Sequence, residues 1–434
     1  MPGIIFHEHY DAWDGKPAPA LASAEFEPPS YELISKFHKT ESLVLTMMNK
    51  RFDWMGTDER RHLYYTMLSY WNGVVKKFNP DAVIFSTAPH TVYDYILYEI
   101  ARSENIKTVM FWNMSPIDGR LFFYEDFREG SGLLSKITRK NMSYNFSVSD
   151  LSEETRKFYE TGTLIGVDAL PLYLKEDHER FAFLNRMILK TKAILATIKR
   201  GEFVEQTARR AANFFKENIR DEHIRAQFIP DYSQKFVYVP LHYQPECTTS
   251  PLGDIFVDQI LMIKILSASL PVGWKIYAKE HPFQWYQRGL NFAGSRYRGY
   301  YDKISGIKNV RLVPLETDNY ELINRAQAVA TVGGTAGIEA LLRQKPVIVF
   351  GYPWYRSCPH VFKADGVESC SKALQKIADG FSVNNQSIIN FLKNLDESTI
   401  RGYVDEYGQR FVRLSAEENS ANISRAILEI ITEK

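Results

Sequence analysis

From Phe236 onward the chain alternates short apolar runs with stretches of helical spacing. The runs cover Phe236 to Leu241, Trp274 to Ala278, Val310 to Val313, Ala328 to Val332 and Val347 to Phe350, and such alternation predicts a parallel, doubly wound sheet. The first half has fewer strands. An apolar run at Ala82 to Phe85 ends in Ser86-Thr87-Ala88-Pro89-His90, a helical pattern continues through Ile100, and a second run follows at Thr108 to Trp112. That order predicts a strand-helix-strand unit. Residues from about Glu153 to Arg225 lack strand-like alternation and read as several helices, one of them through Phe181-Ala182-Phe183-Leu184 and Met187-Ile188-Leu189. A final helix, roughly Glu417 to Thr432, can pack on either half, and no internal repeat or low-complexity linker interrupts the pattern. The whole predicts an α/β chain of two Rossmann-like domains, residues 1–230 and 231–434, with the helical segment (about 153–225) inserted in the first.

Composition narrows the class without naming it. At 434 residues the chain is too long for one compact core and suits two domains of about 200 residues each. The 53 Lys+Arg against 52 Asp+Glu leave a net charge of +1, so no bulk field draws it to nucleic acid. Three cysteines at unrelated spacings, with no signal-peptide pattern and no apolar run long enough to span a bilayer, predict a reducing, cytoplasmic setting. The 25 Tyr and 27 Phe suit a sugar-handling cleft and equally a well-filled core, so they decide nothing alone.

Candidate chemistry gathers at the strand ends. In open parallel sheets ligands sit beyond the carboxyl ends of the strands. There the sequence puts His242, Gln244 and Glu246 after the first strand of the second half, and Lys279 and His281 after the second. Gly333 to Thr335 follow the fourth strand, and Tyr352 to Tyr355 the fifth. Lys279-Glu280-His281-Pro282 supplies a cation and an imidazole, while Gly333-Gly334-Thr335-Ala336-Gly337 opens a helix with three glycines. The first amides of a helix lack intrahelical partners and the backbone dipoles add, so such a start attracts phosphate, and glycines let it approach closely. Glu339 lies four residues past Thr335 on the same helical face, placed to accept hydrogen bonds from ribose hydroxyls. Each element has a plainer explanation: His-Pro as a turn, glycines for steric reasons, Glu246 as a cap for a helix near Pro251. Convergence of four loops on one rim favours a nucleotide-linked ligand.

The tracts Leu241-His242-Tyr243-Gln244-Pro245-Glu246, Thr248-Thr249-Ser250-Pro251-Leu252-Gly253, Lys279-Glu280-His281-Pro282, Gly333 to Ala340 and Lys345-Pro346-Val347 resemble the bacterial capsule and surface-polysaccharide biosynthesis family. That family includes Kdo transferases and adopts the two-domain GT-B glycosyltransferase fold, its domains facing across a cleft. The resemblance covers mainly Phe236 to Tyr355, with a weaker patch from Pro89 to Tyr98 and from Pro116 to Phe123. It implies a CMP-activated 2-keto acid sugar, Kdo or a nonulosonic acid, as donor and no cofactor. His281 would bind the CMP phosphate, Lys279 would add charge, and the first domain would receive a glycan or lipid-linked glycan acceptor. No metal is then required, and the chain has no Asp-x-Asp pair of the kind that holds Mg²⁺ in metal-dependent sugar transferases.

The catalytic group is expected from the first domain. His90 stands just past a strand at the start of a helix, with Asp94 four residues on, a spacing at which a carboxylate can orient a general base. A helix-start histidine with an ordinary surface carboxylate explains the pair equally well. Were a carboxylate central instead, Asp94, Asp118, Glu125 and Asp126 are the candidates. His7-Glu8-His9-Tyr10-Asp11 has metal-ligand spacing but lacks the later ligands such hydrolases need, and is read as a loop of the first domain near the acceptor. Lys190, Lys192, Lys199, Arg200, Arg209 and Arg210 suit a solvated helical face, or contact with anionic lipid or a polysaccharide assembly machine at the membrane. Alternatives to the keto-acid-sugar transferase are a CDP-alditol phosphotransferase, a UDP-sugar transferase, and a non-catalytic nucleotide-sugar-binding partner.

Overall fold

The computed structural model describes residues 3–114, 117–164, 219–285 and 296–432, with Thr191, Leu195, Ile198, Val204 and Thr207. Among these residues ten strands form two sheets. The larger is built from β4 (Phe236–Pro240), β5 (Lys275–Lys279), β6 (Val310–Val313), β7 (Ala328–Thr331), β8 (Val347–Val349) and β9 (Val361–Lys363). Their spatial order is β6-β5-β4-β7-β8-β9 and every pairing is parallel. Counted from β4 as first, this is the 3-2-1-4-5-6 order of the doubly wound fold, whose ligand crevice opens where the order reverses, here between β4 and β7. The apolar runs make central strands because helices cover both faces: all four residues of β7, and Phe236 to Val239 of β4, are buried. Strand β9 was not expected from the sequence.

The smaller sheet has the order β1-β2-β3-β10, from β1 (Ala82–Phe85), β2 (Lys107–Asn113), β3 (Arg120–Tyr124) and β10 (Ile400–Arg401). Only β1 and β2 run parallel; β3 pairs antiparallel with both neighbours, so this sheet has one parallel pair where a Rossmann-like set was expected. The helix Tyr93–Ser103 returns from β1 to β2, completing the expected strand-helix-strand unit.

The boundary expected at residue 231 needs a correction at the far end. The chain returns to the first sheet at Ile400, and helix Ala416–Thr432 packs Ala426 against Val109, Phe111, Leu121 and Phe123 of β2 and β3. The apolar outer face of that small sheet is the reason, since it needs a cover. Helix Asn385–Ser398 straps the two units together: Asn394 Oδ1 accepts from Asn141 Nδ2 at 2.9 Å, and Asp396 Oδ1 accepts from Ser152 Oγ at 2.8 Å. On the other side of the sheet one apolar cluster runs from Phe85, Tyr95 and Tyr124 through to Tyr238, Ile338 and Tyr355. Of the inserted helical segment, Glu153–Thr163 and Ile219–Arg225 are helices. The stretch 181–189 and the six basic residues from Lys190 to Arg210 lie outside the described residues.

Candidate donor site and interdomain cleft

The Gly-rich turn sits at the carboxyl end of β7, and Gly334 is the N-cap of helix Thr335–Leu342 with no side-chain cap. Across the crevice, His242 follows β4 and is buried. The two are joined by a relay. Gly334 N–H donates to Thr331 Oγ1 at 3.2 Å, the Thr331 hydroxyl lies 2.9 Å from His242 Nε2, and Gly333 N–H reaches the same nitrogen at 3.4 Å. With two donors facing it, Nε2 is an acceptor, and burial, with His281 and Arg296 nearby, pushes the imidazole pKa down to about 3. His242 is therefore a neutral prop under the turn. A Cβ on Gly334 would lie 2.7 Å from His242 Cε1, and one on Gly337 only 2.2 Å from Tyr355 Oη, so these two glycines are demanded by close approach. Tyr355 Oη in turn donates to Gly334 O at 2.5 Å. Among the described hydrogen bonds none uses the N–H of Thr335 or Ala336, which leads the helix with its amides exposed to a ligand.

The Lys-Glu-His-Pro tract divides its labour. Glu280 is buried and takes Arg296 Nε at 2.8 Å, Tyr301 Oη at 2.6 Å and His281 N–H at 2.7 Å. Burial would raise its pKa, but these partners, Arg296 foremost, hold the carboxyl below the usual carboxylate range. Arg296 also donates to Gln244 Oε1 and to His242 O. Gln244 spends its remaining amide on Val257 O at 2.7 Å, so this candidate lies within the frame under the loop. Lys279 is likewise turned inward, donating to Asn319 Oδ1 at 2.7 Å and to Thr317 O; burial brings its pKa down to about 8. His281 stays at the rim, half-buried, its ring 6.2 Å from that of Tyr243. Glu339 is half-buried with Thr335 as a hydrogen-bond partner, and burial lifts its carboxyl to about 7. Glu246 is exposed; its Oε2 accepts from Thr248 Oγ1, and its carbonyl accepts from Ser250 N–H at 2.9 Å.

The first unit presents His90 at this interface. Its Nδ1 lies 2.8 Å from Ala88 O, which fixes the ring proton on Nδ1 and leaves Nε2 as the basic atom. The carboxylate of Asp94 is not the orienting group expected from the spacing: it accepts from Thr91 N–H at 2.7 Å, holding the turn that begins helix Tyr93–Ser103. Burial, and then Lys50, lower the His90 pKa below 6.5 while Asp94 pulls the other way. Lys50, which no sequence pattern marked, donates to His90 O at 2.8 Å. Burial lowers its pKa while the carboxylates of Asp94 and Glu246 act the other way, so it stands between the units. Cys247 Sγ makes a 3.8 Å contact with Ala88 O across the same seam.

Other carboxylates of the first unit are engaged elsewhere. Asp126 is buried and accepts from Tyr98 Oη and Arg128 N–H, both at 2.7 Å, Glu125 accepts from Gly132 N–H, and Asp118 is exposed before β3. The His7–Asp11 tract forms the start of a short helix, His9–Trp13: His7 Nε2 meets Lys16 O, whereas His9 Nδ1 meets Tyr93 Oη, so the two imidazoles serve different partners. Arg296 and Lys50 have no local signal. Their partners lie 16 and 40 residues away in sequence.

Beside the Gly-rich turn, a cleft opens between the units, walled by Trp112 and Phe127 from the first and by Gly333, Tyr352, Trp354 and Arg356 from the second.

Residues 197–358 match the profile of the family described as "Capsule polysaccharide biosynthesis protein". That segment holds β4 to β8 and every donor-site candidate, and the match agrees with the resemblance that the motifs there carry. No curated protein matches significantly by sequence. Among solved structures, a β-Kdo 2,4 transferase, KpsC of Thermosulfurimonas dismutans, is 15% identical, with 72% of this chain and 86% of that one covered at a TM-score of 0.31. UDP-GlcNAc 2-epimerase of Methanocaldococcus jannaschii is 13% identical over 79% of this chain and 81% of its own, with a TM-score of 0.25. At such scores these likenesses assign neither donor nor reaction.

Proposed function

We propose that the protein is a glycosyltransferase of surface-polysaccharide synthesis that moves a 2-keto acid sugar, Kdo or a nonulosonic acid, from its CMP derivative to a glycan acceptor. The observation that carries this reading is the crevice at the β4/β7 switch point, where the uncapped helix start at Thr335 rests on His242, an imidazole with His281 nearby, inside the family-matched segment. In this reading the amides of Thr335 and Ala336, with His281, hold the CMP phosphate, Glu339 takes the ribose, and Lys279, Gln244 and Glu246 shape the loops around them. The leaving phosphate gains negative charge as the glycosidic bond breaks, so fixed donors on its oxygens strengthen in the transition state. His90 Nε2 removes the acceptor proton, its ring held in the right tautomer by Ala88 O.

The test is the thermal shift of the purified protein with CMP, CDP, UDP, GDP and TDP, repeated on His281→Ala, since a ligand of the native state raises the melting temperature. A shift with CMP that His281→Ala abolishes is expected. A shift with UDP alone sinks the donor assignment, and no shift with any nucleotide sinks the transferase.

A further inference from the structure

The interdomain cleft has a chemistry of its own. Among the described residues its wall carries three cations, Arg128, Arg356 and Lys363, against one carboxylate, Glu129, which lies 3.7 Å from Arg102. Arg128 is already neutralised, its Nη2 2.5 Å from Glu99. The net positive charge thus belongs to Arg356 and Lys363. Arg356 is held rigidly: its guanidinium lies 4.6 Å from the Tyr352 ring centroid, and Nη1 donates to Arg128 O at 3.0 Å across the seam between the units. Yet its Nε–H is buried with no hydrogen-bond partner among the described residues. A buried donor left unpaired costs on the order of 1–3 kcal/mol, and a guanidinium edge is shaped to receive a carboxylate in two parallel bonds. Burial lowers the Arg356 pKa, and for Lys363 burial and the nearby Arg356 act in the same direction, as expected for two cations lacking an anion. Trp112, Phe127, Tyr352 and Trp354 supply flat apolar walls of the kind on which a pyranose ring's C–H face rests.

We infer that this cleft is the acceptor subsite and that it takes an acidic sugar, the ring against Trp354 and Tyr352 and the carboxylate on Arg356 and Lys363. The acceptor role rests on the transferase reading; the preference for an acidic sugar rests on the cleft alone. Gly333 lines both this cleft and the donor crevice, so a sugar seated here abuts the donor.

The experiment compares binding of methyl β-glucuronide, methyl β-glucoside and glycerol 3-phosphate by ligand-observed NMR, on the wild type, on Arg356→Gln/Lys363→Gln and on Arg356→Lys. The glucuronide is expected to bind at least about tenfold more tightly than the glucoside, to lose that margin in the double variant and to keep part of it in Arg356→Lys. Equal affinity for the two glycosides, undetectable glucuronide binding, an unchanged double variant, or a preference for glycerol 3-phosphate overturns the proposal. The CMP thermal shift is measured on the same samples. Its retention in the double variant shows an intact fold, and its absence in the wild type removes the donor reading while leaving the glucuronide result to stand or fall separately.

Discussion

Glu280 and Arg296 form an ion pair 2.8 Å long with almost no exposure of either side chain. The same guanidinium reaches Gln244 Oε1 and His242 O, so one buried cation ties the loop after β5 to the loop after β4, which borders the donor crevice. Removing one partner of a buried pair leaves an uncompensated charge, which costs about 3–5 kcal/mol. Glu280→Ala and Arg296→Ala are each expected to lower the urea midpoint accordingly. The double variant should fall well short of the sum, and a strictly additive cycle would show that the pair does not couple.

His242 yields a pH signature. Its pKa falls from about 6.5 unfolded to about 3 folded, so between these values the unfolded state binds the extra proton. The contribution is fully present above pH 6.5 and is lost as pH falls toward 3. Stability of the wild type should therefore drop across that window more steeply than that of His242→Asn, which cannot titrate there. Parallel pH–stability curves for the two proteins would refute the buried, neutral assignment.

Gly337 is closed to any side chain. A methyl group would meet Tyr355 Oη at 2.2 Å, and Tyr355 is wholly buried, so it has nowhere to retreat. Gly337→Ala is expected to cost about 1–3 kcal/mol by overpacking, and Tyr355→Phe in the same chain should recover part of the loss. Denaturation midpoints of the single and double variants decide this.

His90 governs the rate if it is the base. Its replacement by Ala should lower kcat about 10²–10⁴-fold with little change in donor KM. Because burial and Lys50 depress its pKa, the acid limb of the wild-type profile should lie below pH 6.5, and Lys50→Met should move that limb upward. An unchanged limb in Lys50→Met argues that another group titrates.

Much of the second sheet was legible in the sequence. Strand Val310–Val313 coincides with its apolar run, and the ends of β4, β5, β7 and β8 fall within one residue of expectation, since strands buried on both faces leave unbroken apolar runs. Strands β3, β9 and β10 were missed. β9 and β10 are three and two residues long, and β3 runs antiparallel at a turn where no helical crossover announces it. At the site, the loops carrying His281 and Gly333 were identifiable because strand ends and glycines are local features. The inward turn of Lys279 and Gln244, and the bond from Asp94 to Thr91 N–H in place of an orienting contact with His90, depend on partners that spacing does not reveal.

The sequence by itself determined the α/β character, the run of parallel strands from Phe236 and the placing of polar residues at their carboxyl ends, because periodicity and turn chemistry act over a few residues. Tertiary structure alone decided the switch point between β4 and β7, the return of the last helix to the first sheet, and the joining of His242 to Gly333, Glu280 to Arg296 and Arg356 to Arg128 O. Each of these is a contact between segments far apart in the chain, set by which apolar faces must be covered and which buried charges must find partners.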